Sequence, residues 1–144
     1  MTEVDALQST LEAEHAAVFV FGALVGRLDA TAGPAPALAA ALGAAYGEHR
    51  GRRDELAALI RDAGAVPVAP APAYALPSRL STVAQIRRAA VLAEAAASEA
   101  YAAQVAAATD ADRSWAISAL TDSAVRQLTL GGAATPFPGA PELG

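Results

Sequence analysis

Ala65-Val66-Pro67-Val68-Ala69-Pro70-Ala71-Pro72-Ala73-Tyr74-Ala75-Leu76-Pro77 decides how this chain folds. Helix-favouring sequence lies on both sides of it. An up-and-down helical bundle joins neighbouring helices with about 2–8 residues. This link is longer, and its four prolines favour extended polyproline geometry at about 3.1 Å per residue. It can therefore span about 40 Å, the length of a long helix at about 1.5 Å per residue. A link of that reach can return the chain to the end of the bundle where the preceding helix began. The helices before and after it would then run parallel. A hinge between two swapped hairpins is the competing reading.

Outward from the link, four apolar stripes repeat with the four-three spacing of buried helix faces. The first helix is expected from about Asp5 to Asp29, with Leu7, Leu11, Val18, Phe21, Val25 and Leu28 inside and Glu14 in the remaining slot. Thr2 and Asp5 have capping-box spacing. Ala32-Gly33-Pro34 breaks the chain. The second helix starts near Pro36, because proline suits a first turn, and carries Leu38, Leu42, Ala45, His49, Arg52, Leu56 and Leu59. Gly64 and Pro67 end it. The third follows Ser78 or Ser81 as cap and runs to about Ala108, with Val83, Ala90, Glu94, Ala97, Tyr101 and Val105 on one face. Asp110 or Asp112 caps the fourth, whose stripe is Ile117, Leu120, Ala124 and Leu128. Gly131-Gly132 stops it, and residues 131–144 form an extended tail docked through Phe137.

Composition agrees with long, closely packed helices. Alanine occurs 42 times in 144 residues, and it is the best helix former. The length suits one domain, residues 1–144. A net charge of −5 argues against a nucleic-acid surface, which needs a basic stripe. The absence of cysteine removes disulfides, thiol catalysis and cysteine metal sites. The acidic start, Met1-Thr2-Glu3-Val4-Asp5, is unlike a signal peptide. The most apolar run, Ala16 to Val25, is about half the length a membrane span needs. A cytoplasmic protein that enters no membrane is expected.

Polar residues in core slots are the candidate site. Glu14 lies 18 residues before the turn at Ala32 and His49 lies 17 after it, so the two belong side by side. Glu99 and Asp122 stand at matching distances from the turn at Asp110 and Ala111. If the link crosses, Glu14, His49, Glu99 and Asp122 fall within about one helical turn of a common level, with Glu94 one to two turns away. Arg52 and Arg126 lie one turn from His49 and Asp122 and can satisfy carboxylates bidentately. Elsewhere, Gly22 and Gly43 fall at one level of the first hairpin, which suggests two backbones in close approach. Glu48 with Arg52, or Arg50 with Asp54, has the spacing of a surface ion pair. Trp115 reads as a core or dimer-contact residue.

The chain resembles an actinobacterial family of ferritin-like domains of unknown function. The segments carrying the likeness are Glu14-His15-Ala16-Ala17, His49-Arg50-Gly51-Arg52-Arg53-Asp54, Ala116 to Arg126, and Phe137-Pro138-Gly139. The resemblance implies a ferritin-like antiparallel four-helix bundle with the proline-rich crossover between its second and third helices. It implies no activity. Ferritin-like carboxylate proteins hold two metals with single glutamates on two helices and Glu-x-x-His pairs on the other two. Here Tyr46 stands where the pair with His49 needs a glutamate, and the fourth helix has no histidine. The only literal match, Glu12-x-x-His15, includes neither Glu14 nor His49. A buried network of Glu14, His49, Glu94, Glu99 and Asp122 with Arg52 and Arg126 is thus favoured over a metal site. A non-enzymatic, homodimeric binding or structural module of unidentified ligand is the expected function. The alternative is an iron redox or storage protein with a reduced site. No cofactor is expected beyond, at most, one weakly bound iron or manganese.

Overall fold

In the computed structural model, described over residues 1–31 and 35–144, four helices and a short 3-10 turn account for all regular structure. The helices are α1 (Glu3–Thr31), α2 (Pro36–Asp62), α3 (Val83–Ala107) and α4 (Asp110–Thr129). The 3-10 turn is Pro141–Leu143. The expected break at Ala32-Gly33-Pro34 lies outside the described residues.

Local chemistry sets the helix ends. Thr2 and Asp5 form a reciprocal capping box: the Thr2 amide donates to the Asp5 carboxylate at 2.9 Å, and the Asp5 amide donates to the Thr2 hydroxyl at 3.1 Å. Pro36 opens α2, and Gly64 closes it with a φ of +80°, a conformation glycine adopts without strain. The cap of α3 is Thr82 rather than Ser78 or Ser81. Its hydroxyl accepts from the Gln85 amide at 3.1 Å, while the Gln85 side chain reaches back to the Ser81 amide at 3.0 Å. The residue ahead of α4 is Thr109, not Asp110 or Asp112, and it is held from outside: the Glu3 carboxylate accepts from its amide at 2.7 Å. That bond ties the start of α1 to the α3–α4 turn, so α1 and α3 run antiparallel.

The proline-rich link climbs the bundle beside α1. Near its start, Gln8 clamps it twice, donating to the Val66 carbonyl at 2.7 Å and accepting from the Val68 amide at 2.8 Å. One stage higher, the His15 ring lies 3.0 Å from the Val68 carbonyl. Tyr74 then meets Phe19, with ring centroids 5.5 Å apart. Finally Leu80 is buried in one cluster with Leu28 and Leu38, at the end where α2 begins. The link therefore crosses within one chain, and α2 and α3 are parallel. The result is an all-α four-helix bundle with one crossover.

The buried faces differ in detail from the stripes read off the sequence. In α1, Ala17 and Leu24 are buried where Val18 and Val25 were expected, and in α2 Ile60 replaces Leu59. In α3 the buried set is Ile86, Ala89, Ala90, Glu94, Ala97, Ser98, Tyr101 and Gln104; Val83 and Val105 are only half-buried. The largest change is in α4, which buries Ala116, Ala119 and Ser123 and leaves Ile117 and Leu128 about half exposed. Small side chains let α4 lie close to α3, so its inward face is one residue out of step with its large apolar residues. The tail docks through Gly139, not Phe137. A Cβ at Gly139 would collide with the Ser98 carbonyl, and its φ is +76°, whereas Phe137 is 49% exposed. Gly22 likewise makes room for the Tyr46 ring, 3.3 Å from where its Cβ would stand, not for Gly43.

Candidate functional site

Midway along the bundle, polar side chains replace the apolar core. Glu14, His49 and Glu94 have no measurable exposure, and Arg52 is buried beside them. Burying such groups is costly unless each is paired and hydrogen-bonded. Here the pairing runs through every carboxylate and both imidazole nitrogens, while Arg126 Nη2 is buried without a hydrogen-bond partner. His49 Nδ1 lies 2.7 Å from Glu14 Oε2, and His49 Nε2 lies 3.0 Å from Glu94 Oε2. Phe21 stacks on the imidazole at 5.1 Å between centroids. The second Glu94 oxygen accepts from Arg126 Nε at 2.9 Å and from the Ser123 hydroxyl at 2.8 Å. The second Glu14 oxygen accepts from the Tyr101 hydroxyl. That hydroxyl accepts from Arg52 Nη1 at 3.1 Å, and Arg52 Nη2 donates to Asp122 at the surface at 3.1 Å.

The charges follow from this geometry. An ionised carboxylate can only accept hydrogen bonds, so an imidazole between two of them must donate from both nitrogens. Burial opposes the imidazolium, yet the bonds and charges of Glu14 and Glu94 outweigh it and hold His49 above its ordinary value of 6.5. Burial likewise raises Glu94, but His49, Arg126 and Ser123 prevail and hold it below its ordinary 4.5. Burial and the Glu14 charge push the Tyr101 hydroxyl far above its usual value, so it stays a donor. Protonated His49, Arg52 and Arg126 thus face Glu14, Glu94 and Asp122, three cations against three carboxylates.

The sequence-derived candidates do not all converge. Glu14 and His49 meet directly, and Arg52 meets Asp122. Arg126 pairs with Glu94 instead of Asp122. Glu99 is exposed on the outside of α3, where it borders the docked tail. Counting residues from a turn sets height but not direction. Five residues separate Glu94 from Glu99, a net rotation of about 140° around the helix. The expected surface pairs are also replaced: Arg52 turns inward, Arg50 lies over the Tyr46 ring, and Arg53 bonds Asp54. Ser98, Tyr101 and Ser123 were missed as members of the network. Tyr101 carried a signal, since a tyrosine in a core slot needs a hydroxyl partner. Two serines in alanine-rich helices carried none.

A family model described as a domain of unknown function, DUF4439, matches residues 6–142. The chain belongs to that family. Its fold is also similar to the crystal structure of a conserved hypothetical protein, rv2844, from Mycobacterium tuberculosis. The two are 31% identical with a TM-score of 0.78, over 89% of this chain and 93% of that one. No match was found among curated proteins.

Within this DUF4439 chain, the residues do not fit a two-metal carboxylate centre. The two His49 nitrogens point to opposite sides of the ring, and each already faces a carboxylate. At the same level α4 offers Ser123 and Arg126, and a guanidinium repels a cation. Among the described residues, no group of three or more His, Asp or Glu side chains is arranged to hold an ion. None of their helices is long and apolar enough to cross a membrane.

Proposed function

We propose that this protein is a non-catalytic, ferritin-like helical bundle that acts as a binding or structural module in the cytoplasm, with its buried Glu–His–Arg network serving structure. The observation that supports this reading is His49, whose two ring nitrogens are both spent on carboxylates inside a neutralised cluster. Such a cluster leaves no lone pair for a metal and no open position for a substrate. Taking one partner out of a buried pair strands a charge at a cost of about 3–5 kcal/mol, whereas replacing the whole set by apolar groups of the same volume is neutral or stabilising by about 1–4 kcal/mol. The protein is read as a homodimer pairing through the outer face of α4. There Ile117, Val125 and Leu128 are about half exposed, and no charge falls among them. On a chain of net charge −5, that uncharged strip is where two copies can meet without repulsion.

The competing reading is a single iron or manganese on Glu14, Glu94 and His49. It requires the imidazolium to lose its proton and Arg126 to withdraw. Metal analysis of protein from iron- and manganese-supplemented cells separates the two. Well under one metal per chain is expected. About one tightly bound iron or manganese per chain would overturn the structural reading, as would two irons per chain with an oxygen-dependent visible band. Val125→Asp should shift a dimer to monomer by light scattering without unfolding it; an unchanged mass would reject the α4 interface.

A further inference from the structure

The seams α1–α2, α1–α3 and α3–α4 are closely packed, but the backbones of α2 and α4 barely approach. Two side-chain bridges span that seam: Arg52 to Asp122 at 3.1 Å, and Trp115 Nε1 donating to Glu55 at 2.7 Å. Between and around them lies a groove of about 420 Å³, lined by Gly47, Glu48, Gly51, Ser118 and Ala119 together with the bridging residues. Its volume falls within the range of about 300–1,000 Å³ typical of small-molecule sites.

We propose that this groove binds a small organic cation carrying an amino or guanidino group. The proposal rests on reading the bundle as a binding module, and names the ligand class. Four features carry it. First, the lining holds three carboxylates, Glu48, Glu55 and Asp122, against one cation, Arg52. Second, Arg52 is engaged by Tyr101 and Asp122, and Glu55 by Trp115, while Glu48 pairs with no group among the described residues. Third, Trp115 contributes an indole to the lining, and a cation over an indole gains a further attraction. Fourth, a Cβ at Gly47 or Gly51 would meet nothing within 4 Å, so the protein's own packing does not require glycine there. Each glycine gives up about 1 kcal/mol of helix propensity relative to alanine. What the two glycines leave is space on the groove wall. An anion, by contrast, would meet all three carboxylates and compete with Asp122 for Arg52.

Trp115 is the only tryptophan and lines this groove, so its fluorescence reports on binding there. The full chain would be titrated at constant ionic strength with agmatine, putrescine and methylguanidinium, and with inorganic phosphate as the anionic counterpart. A saturable change with at least one cation and none with phosphate is expected. Glu48→Gln should weaken it by about two- to fivefold, the worth of one exposed ion pair. Gly47→Leu should abolish it by filling the groove, with circular dichroism confirming the helices. No saturable change with any of the three cations overturns the proposal. So does a phosphate response, or binding undiminished in Glu48→Gln. The metal count above is unaffected by this result, so the groove and the structural network fail separately.

Discussion

The two hairpins of this bundle are built on different principles. In α1 and α2 the core is large and apolar: Leu7, Leu11, Phe21, Leu24, Leu38, Leu42, Leu56 and Ile60 are buried, interrupted by Glu14, His49 and Arg52. In α3 and α4 the inside is mostly small, with Ala89, Ala90, Ala97, Ala116, Ala119, Ser98 and Ser123, while Leu92, Ile117, Val125 and Leu128 stay outside. A hydrophobic stripe therefore marks most of the core in α1, α2 and α3 and misleads in α4. The first hairpin places an imidazolium and a carboxylate in the core. The second answers with Glu94, Tyr101, Ser123 and Arg126, reached only because its small residues bring the helices close.

The sharpest way to break this picture is to remove the group on which both hairpins converge. His49→Leu leaves Glu14 and Glu94 buried without their shared cation, and stability should fall by about 3–5 kcal/mol in urea denaturation. A loss under about 1 kcal/mol would mean that the carboxylates do not depend on the imidazolium. Next in size is the choice of glutamate on α3. Glu94→Gln strands Arg126 and His49 and should cost about 2–4 kcal/mol, while the exposed Glu99→Gln should stay within about 0.5 kcal/mol. Equal effects would contradict the facing of α3. Size discrimination comes third. Ala119→Leu crowds the α3–α4 seam and should cost about 1–3 kcal/mol, whereas Ile117→Ala, with both changes made in the monomeric Val125→Asp background, should change little. The reverse order would restore the stripe read from the sequence.

The smallest effect is that of pH, and its sign follows from the shifts. The stabilisation from His49 is whole below pH 6.5 and is lost as pH rises through its raised folded value. That from Glu94 is whole above pH 4.5 and is lost as pH falls through its lowered folded value. Denaturation midpoints should thus be highest between pH 4.5 and 6.5 and decline on the alkaline side. The alkaline decline should be flattened in His49→Leu. Stability that climbs from pH 7 to 9 in the parent would reject a charged imidazolium.

The sequence alone determined the four helices, the cap at Thr2, the start of α2 at Pro36, and the crossover. These depend on local spacing, proline geometry and chain reach, which neighbours do not alter. It also placed Glu14 beside His49, because a hairpin fixes the relative height of its two arms and each residue visibly broke an apolar stripe. Only the tertiary structure decided that Glu94 rather than Glu99 completes the set. It also decided that Arg126 serves Glu94, and that α4 turns Ala119 and Ser123 inward with Leu128 outward. Those outcomes depend on helix rotation, and rotation is set by how closely backbones can approach. In helices this rich in alanine, many faces are apolar enough to be buried. The one chosen is the face whose small side chains allow close contact and whose polar atoms, Gln104 Oε1 and Arg126 Nη2 apart, find partners across the seam.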